Sequence, residues 1–259
     1  MPILTSTQLE AWVGAAFWPF VRIGACIMIA PVFGAPYVPP RVRIVLAALL
    51  TLIALPLVQQ PQGVALLTAT GVVITVQQLL IGAAMGFALQ LIFDALTLGG
   101  QLLANGMGLG FAFNLDPLRG VSTPALGQLY VVLGTLTFIA LDGHLALIET
   151  LIDSFRGLPV GADGLDANAF RALADWGAQL FSGALRVALS GMTALLVINL
   201  AFGVTSRAAP SLNLFAVGLP VTLVFGLVVV LLGLPSMQTG FLAMLSSGFQ
   251  FLRVIAGAR

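Results

Sequence analysis

An all-α membrane protein with about six apolar helical segments, several of them kinked or broken, is the fold class this sequence predicts. Three observations carry the prediction. Of the 259 residues, 59% are hydrophobic and 7% charged, with a mean hydropathy of +1.10, where a soluble domain is roughly 45–50% apolar. Apolar runs approaching the roughly 20 residues that cross a bilayer recur along the chain, separated by clusters of proline, glycine and arginine. Only one stretch, Asp142 to Asp175, is markedly polar.

The first run, Trp12 to Phe33, contains Pro19, Arg22 and Pro31 and ends in Gly34–Pro40, where prolines forbid a helix. Arg41 and Arg43 open a second run, Ile44 to Val58, short for a lipid-exposed span. Gln59 to Gly63 reads as a tight turn. Val64 to Leu103 exceeds one span, interrupted by Gln77, Gln78, Gln90 and Asp94, and fits one long helix or two broken ones. Within it, Gly82 and Gly86 form a small-xxx-small pattern that lets another helix approach closely.

Ala125 to Leu141 is a further apolar run, closed by Asp142–Gly143–His144. In the polar stretch, Leu145, Ile148, Leu151, Ile152 and Phe155 recur at helical spacing, so its first half reads as a short amphipathic helix, with Gly157 to Gly164 as a loop. Leu180 to Val204 is apolar with Arg186 and Asn199 inside it. Arg207–Asn213 breaks the pattern, Leu214 to Leu234 resumes it, and Pro235 to Arg259 forms a shorter tail. Arg207, Pro210 and Asn213 mark a turn at the tip of a hairpin.

Composition excludes several function classes. The ten basic residues are all Arg, nine acids nearly balance them, and a net charge of +1 offers no basic face for nucleic acid. The lone Cys26 cannot close an internal disulfide, and the single His144 finds no imidazole or thiolate partner, so neither a metal nor any other cofactor is expected. No cleavable signal is expected either, because the first basic residue, Arg22, falls inside the apolar run. Asp142 beside His144 has no nucleophile near it in the sequence, and His144 is expected to cap or hydrogen-bond at a helix end.

The unusual stretch is central, Asn105 to Gly120. Gly106, Gly108, Gly110 and Gly120 each cost about 1 kcal/mol against Ala in a helix, and Pro117 disfavours the helical conformation at Asp116. Met107, Leu109, Phe111, Phe113 and Leu115 alternate with small or polar residues. An irregular apolar segment between membrane helices must satisfy its backbone inside protein or beside a cavity. It fits a gate in a pore or a glycine-rich turn packed between helices; a nucleotide loop is much less favoured because no strand precedes the glycines and no Lys follows them to hold phosphate.

Arg22, Asp94 and Arg186 are the intramembrane charges, each costing about 2.5–3.5 kcal/mol at a helix centre on insertion scales. They are expected to be buried against protein or water, either as an Arg–Asp pair on an ion path or as polar contacts that fix helix register.

Two strings then carry a family resemblance. Phe138-Ile-Ala-Leu-Asp-Gly-His144-Leu-Ala-Leu-Ile-Glu-Thr-Leu-Ile-Asp-Ser-Phe155, followed by Pro159, and Leu200-Ala-Phe-Gly-Val-Thr-Ser-Arg-Ala-Ala-Pro-Ser-Leu-Asn-Leu-Phe215 with Val217-Gly-Leu-Pro220, resemble the FliR family of flagellar type III export gates. That family is related to the SctT family of virulence secretion systems. Ser211, where Gln is usual, and Leu145, where many relatives repeat the His, depart from its pattern. The resemblance implies a non-enzymatic, single-copy, multi-pass subunit of the bacterial inner membrane at the flagellar basal body. Its implied partners are FliP-like and FliQ-like gate subunits and FlhB-like and FlhA-like export components, with unfolded flagellar substrates in transit. It further implies a FliP-like part over 1–179, a FliQ-like hairpin and tail over 180–259, and a plug of the closed pore at Gly106–Gly120, including Met107, Gly108, Gly110, Phe111, Phe113, Asp116 and Pro117.

A secondary transporter is the alternative, with broken helices lining a substrate site, but no paired interruptions in two similar halves appear. A membrane enzyme would need a convergent titratable cluster, and the chain is too poor in such residues.

Placing Arg41, Arg43 and Arg207 in the cytoplasm leaves the acidic Asp142–Asp175 stretch outside, although Arg253 and Arg259 run against this. Ser211→Cys should therefore react with membrane-impermeant thiol reagents only from the cytoplasmic side; reaction only from the outside would reverse the orientation.

Overall fold

A computed structural model describes residues 6–59, 64–109, 125–161, 163–208 and 214–257. Among them every regular element is helical: α1 (Ser6–Ile29), α2 (Pro40–Ala54, continued by a 3₁₀ turn Leu55–Leu57), α3 (Ala69–Gly106), α4 (Ala125–Ala140), α5 (Gly143–Gly157), α6 (Ala167–Trp176), α7 (Ala178–Ala208) and α8 (Leu214–Ile255). Four of these stretches are long and apolar enough to cross a membrane, five if the bent pair α4–α5 counts as one. This is an all-α membrane protein, as expected, and the shorter apolar stretch Ala15–Ile29 brings the number of apolar segments close to the six expected.

Where helix boundaries differ from the expected ones, proline and capping account for it. Pro31 ends the first segment early: α1 stops at Ile29, and Val32 turns the chain with φ 69. Pro40 starts α2, so Arg41 and Arg43 belong to the helix that was expected to open at Ile44. Pro at the first helical turn is favourable because its missing N–H has no intrahelical acceptor there. The stretch from Val64 resolves into a single helix from Ala69 to Gly106, 38 residues long. Pro235 does not open a separate tail; it lies with Pro220 inside the 42-residue α8. Membrane helices tolerate internal proline when neighbouring groups or local adjustment take up the freed carbonyl. Sequence periodicity also missed α6, a polar helix whose N-cap, Asp166, accepts from the Ala169 backbone N–H at 2.7 Å.

The chain forms two compact units, Met1–Leu91 with Phe138–Gly177 and Ser246–Arg259, and Ile92–Thr137 with Ala178–Leu245. In the first, α1 lies directly on α3. A Cβ on Gly82 would fall on the Arg22 carbonyl, and one on Gly86 would come within 2.7 Å of the Cys26 carbonyl oxygen. The small-xxx-small face is thus occupied by the chain's own first helix. Arg43 closes the α1–α2 turn, its Nη2 donating to the Ala35 and Val38 carbonyls at 2.6 and 2.9 Å. Trp176 stacks on Phe251 at 4.4 Å between centroids and donates to the Ala88 carbonyl at 2.9 Å. In the second unit, Phe93 meets Phe241 edge-on at 5.4 Å.

The most apolar window of α3 is 67% buried inside the chain, against 22% for α2 and α8 and 17% for the α6–α7 stretch. Of these stretches α3 is the one most buried by the chain itself, while the other helices leave most of their apolar surface open to lipid or to other proteins.

Glycine at position 82 is a steric requirement, whereas Gly24 on the facing helix has nothing within 4 Å of an added Cβ. Gly82→Ala should cost about 1–3 kcal/mol through overpacking, and Gly24→Ala should add about 0.5–1 kcal/mol through helix propensity. The buried Cys26 supplies the readout, as the temperature at which it becomes maleimide-reactive in detergent. Equal temperatures for the two variants would contradict the close approach.

Candidate functional site

Two clusters satisfy polar groups that a membrane interior would otherwise leave stranded. The first, in unit one, surrounds Arg22, which is fully buried. Its Nε donates to Gln78 Oε1 at 2.8 Å, Nη1 to the Ser154 carbonyl and Oγ, both at 3.1 Å, and Nη2 to the Leu158 carbonyl at 2.8 Å. The guanidinium lies 4.2 Å from the centroid of the Phe155 ring. None of these acceptors is a carboxylate, so the expected pairing with Asp94 is not what holds this charge. Four hydrogen bonds and a ring face replace the counter-ion, and they tie α1, α3 and the end of α5 to one planar group.

Both resembling strings acquire a structural meaning near this cluster or at a helix end. Asp142 adopts φ 54, and Gly143 follows it beneath Phe138, whose ring an added Cβ would meet at 2.5 Å. That left-handed step separates α4 from α5 and brings Ser154 and Phe155 to Arg22. His144 stands in the first turn of α5, and its buried Nδ1 makes no hydrogen bond among the described residues, so it does not cap the helix as expected. Arg207 is exposed at the end of α7, which continues to Ala208, while Pro210 and Asn213 lie outside the described residues.

The second cluster, in unit two, is the root of the central loop. Helix α3 continues through Asn105 and Gly106, two residues further than the glycine content predicts. It then closes with a Schellman motif: Gly108 N–H donates to Asn105 O at 3.1 Å and Leu109 N–H to Ala104 O at 3.0 Å, with Gly108 at φ 80. Only glycine takes that φ without strain, which is why it stands at this position. Met107 N–H is used by Leu103 O at 3.0 Å. The Gly106 carbonyl receives its donor from elsewhere, Asn199 Nδ2 on α7 at 3.0 Å. Met107 itself is 1% exposed, and an added Cβ on Gly226 of α8 would run into its side chain.

Met107, expected to be part of a withdrawing plug, is therefore packed in its own chain. Gly110, Phe111, Phe113, Asp116 and Pro117 lie outside the described residues. Of the other charges, Asp94 is half-buried and Arg186 is exposed, on the face of α7 opposite the buried Ala184, Val187, Ala188 and Leu195. Among the described residues nothing buries Arg186, because helical phase turns it away from the packed side. Asn199 was visible in the sequence only as a polar interruption, and Gly226 carried no signal; their partners lie far away along the chain.

A family model described as bacterial export proteins, family 1, matches residues 13–248. The chain belongs to this family. It is 41% identical over 238 residues to the flagellar biosynthetic protein FliR of Pectobacterium carotovorum, covering 91% of this chain and 90% of that protein. It is 38% identical over 224 residues to the FliR of Escherichia coli K12, covering 86% and 85%, and 31% identical over 231 residues to that of Caulobacter vibrioides, covering 88% and 91%. The resemblance to the FliR family read from the two strings is borne out along most of the chain. As a FliR-family member with several membrane-length apolar helices, it is a multi-pass membrane protein of the flagellar export family.

Removing single Arg22 partners should grade by what remains. Gln78→Leu strips the Nε of its acceptor and should cost about 1.5–3 kcal/mol, as for a hydrogen bond to a charged group. Ser154→Ala should cost less, because the Ser154 and Leu158 carbonyls still accept. Denaturation midpoints in detergent micelles check the order; an equal or reversed order would refute it.

Proposed function

We propose that this chain is a non-enzymatic core subunit of the flagellar type III protein export gate, resident in the bacterial inner membrane at the flagellar basal body. It assembles with FliP-like and FliQ-like subunits, works beside FlhB-like and FlhA-like components, and helps form the channel through which unfolded flagellar proteins leave. In this reading residues 1–179 correspond to a FliP-like part and 180–259 to a FliQ-like hairpin and tail, with Arg207, Pro210 and Asn213 at a partner-contacting tip. The loop from Gly106 to Gly120 contributes the plug of the closed state.

The observation that carries the proposal is the match to a bacterial export family along most of the chain. The physical support comes from the helix surfaces. Phe181, Leu185, Leu189, Leu196, Val197 and Leu200 form an exposed apolar stripe on α7 that also holds Arg186. A charge on such a stripe is costly in lipid and is relieved by a protein neighbour. The plug reading draws on the root of the loop: a capped helix end is followed in the sequence by Phe111, Phe113 and two further glycines, Gly110 and Gly120. Aromatic side chains can fill a pore, and glycines let the backbone move aside when a substrate passes.

Deleting Gly110 to Pro117 from the chain in its complete export complex should raise the ion conductance of the membrane while leaving the complex assembled. Wild-type conductance in an assembled deletion complex would remove the plug from the proposal.

A further inference from the structure

The root of the central loop carries an inference about two residues far from it in sequence. We infer that Asn199 on α7 and Gly226 on α8 form a seat that holds the start of the loop, and that they are positioning residues for its sealing role. The sealing role itself rests on the plug reading above; the seat rests on geometry alone.

At the end of α3, the Schellman motif uses the carbonyls of Ala104 and Asn105, and Leu103 O accepts from Met107. Gly106 O is the next carbonyl in line, with no later residue of the helix to donate to it. In a membrane interior a carbonyl without a donor is costly, and Asn199 Nδ2 supplies one at 3.0 Å. Asn199 is itself exposed on an apolar helix, where an amide is unfavourable unless it has a specific partner. One hydrogen bond therefore resolves two penalties, and it does so only when the helix end stands at this point of α7.

The second half of the seat is steric. Met107, one residue beyond Gly106, is buried against α8 at Gly226, which has no room for a Cβ while the Met107 side chain is in place. Leu195, one turn before Asn199, lies 3.2 Å from where a Cβ on Gly106 would be. The position, the direction and the depth of the loop's first residues are thus set by α7 and α8. The seat thus holds the first residues of the stretch assigned to the plug, Gly106 and Met107, and the chain leaves it at Leu109.

Helix propensity and membrane solvation argue for different residues at both positions. Leucine is more favourable than asparagine on a lipid-facing helix, and alanine more favourable than glycine within one. A role limited to helix stability therefore predicts that Asn199→Leu and Gly226→Ala are neutral or stabilising. The seat predicts that both loosen the loop.

The test uses the full chain in its export complex, with Cys26→Ser as background. Met107→Cys combined with Gly226→Cys should form an intramolecular disulfide with diamide in most of the assembled complex, and adding Asn199→Leu should lower that yield several-fold. Asn199→Leu and Gly226→Ala alone, in complexes assembled to the wild-type level, should raise membrane conductance toward that of the Gly110–Pro117 deletion. Failure of the cysteine pair to cross-link overturns the seat. So does wild-type conductance in both single variants when the deletion leaks. If the deletion does not leak, the plug reading falls, and the cross-link yield with and without Asn199→Leu still decides whether the seat exists.

Discussion

A charge or a helix-end carbonyl inside a membrane protein is costly without a partner in protein, and this cost shapes both units of the chain. Arg22 shows it most fully: a guanidinium buried without a carboxylate, held by Gln78, Ser154, Leu158 and the Phe155 ring. Those partners lie on α3, α5 and the residue after α5, so the charge can be accommodated only when all three are assembled around α1. A less directional cation would not serve, because the planar fork reaches acceptors on several sides at once. The penalty for exposing it to hydrocarbon then becomes a penalty for misassembling the unit.

Close backbone approach makes that arrangement possible. Gly82 admits the Arg22 carbonyl, and Gly86 admits the backbone of the next turn of α1. With α1 so near α3, Gln78 is within reach of the Arg22 Nε, and Trp18 can donate to Thr75 Oγ1 at 3.2 Å. Lipid provides no hydrophobic drive between helices, so this contact relies on van der Waals packing and on the polar bonds it permits. The same principle operates in unit two, where Gly226 makes room for Met107 and Asn199 completes the carbonyls at the end of α3.

The outer helices follow a different logic. Their apolar faces are left open by the chain, and a membrane or neighbouring subunits cover them. Arg186 marks where the two covers differ, since hydrocarbon accepts leucine and phenylalanine but not a guanidinium.

Composition and order along the chain were enough to determine the class: an apolar, helix-forming membrane protein without the charge or ligands for nucleic-acid, metal or disulfide chemistry. The two family strings were legible for the same reason, as contiguous residues that keep their spacing. Proline was less informative, because Pro31 ends a helix while Pro220 and Pro235 sit inside one, and the outcome depends on what neighbouring groups can offer the freed carbonyl. Tertiary structure alone decided that Arg22 needs no acid, that Arg186 faces outward, that Met107 is buried against Gly226, and that Asn199 donates to the Gly106 carbonyl. Each of these depends on contacts between residues remote in sequence, where the helical phase and the distance between axes select a partner that local pattern cannot specify.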